Sequence, residues 1–264
     1  MTAVPKVELK NVSRVYLGQS GPVYGLSAFD LRITEGEFVC IVGPSGCGKS
    51  TLLNIVAGFE PPDLGEVIIN GEKITGPGTS RFVIFQEHAL FPWLNVSQNI
   101  MFGLKMAGIP KGEREERAAA LLKTVNLTDF SNAWIHELSG GMKQRVALAR
   151  ALILDPDILL MDEPFAALDS QTRDMLHEEV ELVWQRTKKT IIFVTHNVRE
   201  AVRLGTRVIL MAAKGGKILR EYPIDLQRNR YLEDVEVVKI ASQIRDDLRH
   251  DVLRASREDG YHVD

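Results

Sequence analysis

The stretch that most constrains this chain is "GEFVCIVGPSGCGKSTLLNIVAGF", residues 36–59. A short apolar run ends in a glycine-rich loop, and helical spacing begins directly behind it. Strand, loop and helix in that order open a parallel α/β sheet, where strands buried on both faces read as continuous apolar runs. The loop, residues 43–51, fits the pattern G-x-x-x-x-G-K-[ST]. Gly43, Gly46 and Gly48 have no Cβ, so the backbone can wrap closely around a phosphate. Pro44, Ser45 and Cys47 fill the positions between them. The loop N–H groups and the helix start then face negative charge. Lys49 is placed to reach the β- and γ-phosphates and Ser50 to ligate magnesium, with Thr51 closing the motif.

Three further strands end in polar groups, as sites at the carboxyl ends of parallel strands do. In "ILLMDEP" Asp162 ends a buried run, where an unpaired carboxylate is costly unless a cation lies near. It is the expected magnesium-side carboxylate. Glu163 is adjacent, and strand alternation points it elsewhere, where it can polarise a water for attack on the γ-phosphate. A carboxylate at a strand end is also compatible with simple solvation. His196 closes "TIIFVTH", parallel to the strand of Asp162, and can hydrogen-bond a phosphate oxygen. Gln86 ends "RFVIFQ"; its neutral amide can bridge magnesium and a water.

Around this core, residues 1–35 alternate apolar and polar and read as antiparallel strands. "EVIINGEKI" reads as a hairpin turning at Asn70-Gly71. From His88 to about Arg150 helical patterns dominate, with Phe91, Trp93 and Phe102 either in the core of this lobe or lining a groove for a partner. A long helix is expected from Ser170 to Thr187. Beyond residue 220 the chain is polar, with seven basic and eleven acidic residues. There Val237, Ala241, Ile244, Leu248 and Val252 form an amphipathic helical stripe, which by itself reads as packing on the chain's own surface.

Over its 264 residues the chain has a net charge of -3, which excludes nucleic-acid binding by bulk electrostatics. The N-terminus has no secretory pattern, and no apolar run approaches the roughly 18 to 20 residues that span a bilayer. The two cysteines, Cys40 and Cys47, build neither a disulfide framework nor a zinc site, so a reducing, cytoplasmic setting fits.

"LSGGMKQR", residues 138–145, looks like a second phosphate cradle without the lysine and hydroxyl pair. Ser139 offers a hydroxyl, and Gly140 and Gly141 allow close approach. Taken alone, it reads as a serine-capped helix start.

Glycine loop, Gln86, "LSGGMKQR", "ILLMDEP", "ALD" and "TH" together resemble, in order and spacing, the ATP-binding cassette (ABC) proteins, over about residues 6–220. The resemblance implies a P-loop NTPase core with an antiparallel β subdomain and an inserted α-helical subdomain at about 88–150. Residues 1–220 would then form the ATPase domain and residues 221–264 an acidic, partly helical extension. It implies Walker A at residues 43–51, the Q-loop glutamine at Gln86, Walker B ending at Asp162 with catalytic Glu163, the D-loop at Ala167, Leu168 and Asp169, and the switch histidine at His196. Tyr16 matches the aromatic that stacks on adenine. The segment around Ser139, Gly140 and Gly141 would complete the γ-phosphate site of a second copy in a head-to-tail dimer. "GPGTSRFVIFQEHALFPWLNV" and the late "YPIDLQRNR" look like the nitrate, sulfonate, taurine and bicarbonate importer branch.

The implied function is an ATPase that energises a membrane importer. ATP and magnesium would be its ligands. Integral permease subunits would hold it at the cytoplasmic face, with a substrate-binding protein as an indirect partner and no nucleic acid. A cassette ATPase uncoupled from transport is the alternative. An unrelated phosphate-loop enzyme such as a kinase would leave "LSGGMKQR" and His196 unexplained. Asn197 stands where the family usually has aspartate, and Met142 where most members have glutamine.

Overall fold

The structure, a computed structural model, describes residues 4–18, 21–86, 89–166 and 168–258. His88 and Ala167, both named above, lie outside them. In chain order the elements begin β1 (Val7–Gly18), β2 (Gly21–Ile33), β3 (Phe38–Val42), α1 (Lys49–Ala57), β4 (Leu64–Ile69), β5 (Glu72–Lys73) and β6 (Arg81–Ile84). Helices α2 (Val96–Met106), α3 (Lys111–Thr124) and α4 (Gly140–Leu152) follow, then β7 (Ile158–Asp162), α5 (Ser170–Thr187) and β8 (Thr190–Val194). The chain closes with α6 (Val198–Leu204), β9 (Arg207–Met211), β10 (Ile218–Pro223) and α7 (Val235–Glu258). They fall into two compact units, residues 1–78 with 187–264, and residues 79–186.

The first unit holds an antiparallel sheet in the order β2-β1-β4-β5. Its β4–β5 hairpin turns at Asn70 and Gly71, with φ of 54° and 80°. Two consecutive residues at positive φ make the turn that Asn-Gly favours. The same unit holds β3 between β8 and β9, parallel to both, with Cys40 opposite Phe193 on one side and Val208 on the other. Strand β10 adds to β9 antiparallel. Every residue of β3 and β8 is buried, as their unbroken apolar runs require.

The tail closes on this unit. Val237, Ala241 and Ile244 of α7 are fully buried, and α7 packs against α6. Leu248 is half-buried and Val252 exposed, so the stripe expected from the sequence seals at its first three positions. Arg230 leads into α7 as a buried guanidinium. It donates to the carbonyls of Val202, Gly205, Leu226 and Gln227 at 2.6–3.0 Å. A cation there satisfies carbonyls that the end of α6 leaves open.

Polar contacts hold the far end of α7. Ala213 N–H donates to Asp251 at 2.7 Å, and Arg220 pairs with Asp247 at 2.7 Å. The Tyr222 hydroxyl also donates to Asp247. Burial, then this carboxylate, push the Tyr222 phenol from 10.0 up to about 12. The neutral phenol is therefore favoured by folding, and its contribution is present below pH 10 and is lost as pH rises through about 12. Thermal melts should fall more steeply above pH 10 for the native chain than for Tyr222→Phe. Parallel curves would show that the phenol does not anchor α7.

In the second unit β6 and β7 pair in parallel, Ile84 opposite Met161. Helices α2, α3 and α4 close a separate core that includes Val96, Ile100, Leu104, Leu122, Val146 and Ile153. Asn99, fully buried, fixes the segment before α2. Its Oδ1 accepts from Phe91 N–H at 2.9 Å, and its Nδ2 donates to the carbonyls of Phe91, Leu94 and Asn95 at 3.1 Å. Phe91 and Phe102 stack at 4.4 Å and are half-buried, whereas Trp93 is 68% exposed. Neither phenylalanine is part of the buried core of the lobe, so the aromatic set lies outside it, half-buried at Phe91 and Phe102 and exposed at Trp93.

Candidate functional site

In the first unit, the loop after β3 runs straight into α1. The N-cap of α1 is Gly48, with φ of 105° and no capping side chain. A helix start leaves its first N–H groups without internal partners. Asn95 caps α2, Ser139 caps α4 and Asn197 caps α6, whereas α3 and α1 start without a side-chain cap. At α1 the glycine loop and Lys49 beside the open donors suit them to an outside anion. The glycines cannot be replaced freely. A Cβ on Gly48 would lie 1.9 Å from the Gly25 carbonyl oxygen, and one on Gly43 would lie 2.7 Å from Cys47 Sγ.

Lys49 is 7% exposed, and its ammonium donates to the Gly43 and Pro44 carbonyls at 2.9 Å each. The cation is thus held inside the loop it serves, and its charge is unmatched by any carboxylate in these bonds. A polyphosphate would supply the missing anion. Burial pushes the Cys47 thiol up, against the pull of Lys49, so the loop adds no negative charge of its own. Ser45, Gly46 and Ser50 are exposed, which leaves their backbone and hydroxyl groups open to a ligand.

His196 follows β8, whose Val194 lies opposite Ile41 of β3, and Thr195 N–H donates to the Ile41 carbonyl at 3.1 Å. The histidine and the phosphate loop therefore leave the sheet at the same strand ends. Asn197, one residue on, caps α6 by accepting from Arg199 and Glu200 N–H at 3.1 and 3.3 Å. Its amide does the capping that an aspartate would, without the charge. The "NVRE" spacing carried that signal in the sequence.

Tyr16 sits in β1 opposite Val23 of β2. Its hydroxyl donates to Glu60 Oε2 at 2.6 Å, and Thr51 Oγ1 lies 3.3 Å from the phenolic oxygen. Nothing in the sequence announced the Glu60 contact.

The second unit carries the remaining residues. Asp162 ends β7, and Gln86 lies two residues beyond β6, so both leave the carboxyl ends of paired parallel strands. The strand stops at Asp162, so alternation does not extend to Glu163. A φ of 43° at Glu163 turns the chain there instead, an uncommon backbone for a non-glycine residue. A left-handed residue beside a strand end is one way a functional side chain is re-aimed.

Around "LSGGMKQR" the packing is close. Ser139 Oγ accepts from Met142 N–H at 3.3 Å, and Ser139 and Gly140 are exposed. A Cβ on Gly141 would stand 2.3 Å from Thr172 Cγ2. Thr172 in turn donates both its N–H and its hydroxyl to the Asp169 carboxylate, at 2.9 and 2.7 Å. Those bonds hold the Asp169 carboxyl below its usual range. Arg145 of α4 also pairs with Glu179 of α5 at 3.0 Å. Gly141 and Asp169 thus bear on one threonine, a link that the sequence did not reveal.

A strand, an anion-ready glycine loop and an uncapped helix define a phosphate-loop nucleotide-binding protein of the α/β class. Residues 26–166 match the ABC transporter family model. The nitrate import ATP-binding protein NrtD of Synechocystis sp. is 47% identical over 220 residues, 83% of each chain. The taurine import ATP-binding protein TauB of Roseobacter denitrificans is 48% identical over 217 residues, 82% of this chain and 81% of that one. Among solved structures, the dimeric post-hydrolysis state of the ATP-binding cassette MJ0796 bound to ADP and Pi superposes with a TM-score of 0.74 at 37% identity, over 84% of this chain and all of that one. The chain belongs to the ABC transporter family and has the ATPase-cassette fold.

Proposed function

We propose that the chain is the ATP-hydrolysing subunit of a membrane importer for a small anion such as nitrate, a sulfonate or taurine, and that it works as an ATP-closed pair. One observation carries this reading: the buried Lys49 ammonium, held by the Gly43 and Pro44 carbonyls rather than by a carboxylate, and the uncapped start of α1 form an anion cradle. Family membership supports ATP as the anion, and the names of the two relatives, import ATP-binding proteins both, support import.

In this reading the loop at residues 43–51 binds the triphosphate, and Tyr16 stacks on the adenine. Glu163 accepts a proton from the attacking water, while His196 and Gln86 hold the γ-phosphate and that water in place. Ser50, Gln86 and Asp162 are a hydroxyl, an amide and a carboxylate, oxygen donors suited to magnesium. That ion would neutralise charge on the phosphates. Ser139, Gly140, Gly141 and Asp169 act on the nucleotide held by the second copy.

No helix among the described residues is long and apolar enough to cross a membrane. The family and the import relatives support our assigning attachment at the cytoplasmic face to separate permease subunits, with a substrate-binding protein delivering the cargo. Trp93, exposed within the pinned segment 91–95, belongs to the surface we assign to the permease.

Co-expression with candidate membrane-spanning subunits tests the proposal. A stable detergent-solubilised complex should form, and its ATP hydrolysis in liposomes should rise several-fold when cargo is supplied. A chain that purifies alone from every such co-expression, with full ATPase activity, would favour the uncoupled reading.

A further inference from the structure

The adenine-stacking role of Tyr16 rests on the proposed function, but the structure carries the assignment one step outward. We infer that Glu60 is a positioning residue for nucleotide binding. It holds the Tyr16 ring in place before the base arrives and ties that ring to the phosphate-loop helix.

Tyr16 is fixed from several sides. Its hydroxyl donates to Glu60 Oε2 at 2.6 Å. The Arg14 guanidinium lies 5.3 Å from the ring centroid, covering one face, with Nε 3.6 Å from Glu60 Oε2. At the ring edge Gly25 leaves just enough room, since a Cβ there would lie 2.7 Å from Tyr16 Cε2. Arg14 is itself held, donating to Asp63 Oδ1 at 2.7 Å, while Val15 N–H donates to Asp63 Oδ2 at 2.7 Å.

The other oxygen of Glu60 faces α1. Asn54 Nδ2 donates to Glu60 Oε1 at 2.9 Å, and the Asn54 carbonyl accepts from Phe59 and Glu60 N–H at 2.9 and 3.4 Å. Thr51 Oγ1, in the first turn of α1, lies 3.3 Å from the phenolic oxygen. One carboxylate therefore spans the aromatic ring and the helix whose start cradles phosphate. A ring fixed in advance gives up no rotamer freedom when a base stacks on it, which strengthens binding. A carboxylate is the acceptor for this, because it can take the phenol and the amide at once and faces Arg14 with the opposite charge.

The test compares binding of Mg·ATP with binding of Mg·tripolyphosphate, which has no base, by calorimetric titration. Tyr16→Ala should weaken ATP about tenfold or more and leave tripolyphosphate unchanged. Tyr16→Phe and Glu60→Gln should each weaken ATP about three- to tenfold, again with no change for tripolyphosphate. The double variant should be no weaker than either single one, because both act through one hydrogen bond. If Tyr16→Ala leaves the ratio of the two affinities unchanged, the adenine reading of Tyr16 itself is wrong. If Tyr16→Ala shifts the ratio and the two conservative changes do not, the ring is held without Glu60 and the inference is overturned. Equal weakening of both ligands by Glu60→Gln would also overturn it, by showing damage to α1 rather than loss of ring positioning.

Discussion

Glu163→Gln is expected to lower ATP hydrolysis by about a hundredfold or more, the range for losing a general base, with ATP affinity within a few-fold of the native chain. The change removes one negative charge and the capacity to accept a proton, while keeping size and hydrogen-bonding reach. The backbone should not move. Glu163 holds its φ of 43° through the turn that follows β7, where Ala166 N–H donates to the Glu163 carbonyl at 3.2 Å, and glutamine has the same Cβ geometry. Since ATP would persist, the ATP-closed pair should accumulate. Size-exclusion chromatography with Mg·ATP should show a dimer for the variant and mostly monomer without nucleotide. Phosphate release within threefold of native would remove Glu163 from the role of base. A monomer at saturating ATP would mean that the isolated chain does not form the pair.

What could be read from residues alone follows from how local each feature is. The phosphate loop, the Asn70-Gly71 hairpin and the stripe of α7 are set by contiguous residues, so spacing revealed them. Glu163 shows the limit of a periodic rule. Alternation holds only while the strand lasts, and β7 ends one residue earlier. The aromatics of the helical lobe show another limit. Phe91, Trp93 and Phe102 all read as large aromatics in one stretch, and their different exposure arises where Asn99 pins the loop before α2. The contacts of Glu60 with Tyr16 and of Thr172 with Gly141 join residues distant in the chain. No pattern within a short window can reveal such pairs, although "LSGGMKQR" already carries a glycine, Gly141, at the place where Thr172 packs.

Ser139→Arg carries the second large effect, and it asks where the segment acts. Hydrolysis should fall below detection while ATP still binds, because the loop at residues 43–51 has its own donors and its own cation. Ser139 Oγ makes one weak cap on α4, at 3.3 Å, so the local loss is about 1 kcal/mol and the fold should survive. Circular dichroism and thermal melts check that. The larger consequence is an extended cation at an exposed helix start, where the macrodipole already favours anions. If that start faces a nucleotide held by the second copy, the defect can be repaired by mixing. Ser139→Arg and Lys49→Ala are each inactive alone, one lacking the signature serine and the other the loop cation. In a head-to-tail mixed pair, one of the two sites combines the intact loop of the first chain with the intact serine of the second. With equal amounts, half of the pairs are mixed and each has one complete site, so up to about a quarter of native activity should return. If both functions acted within one chain, every site would remain broken and the mixture would stay inactive.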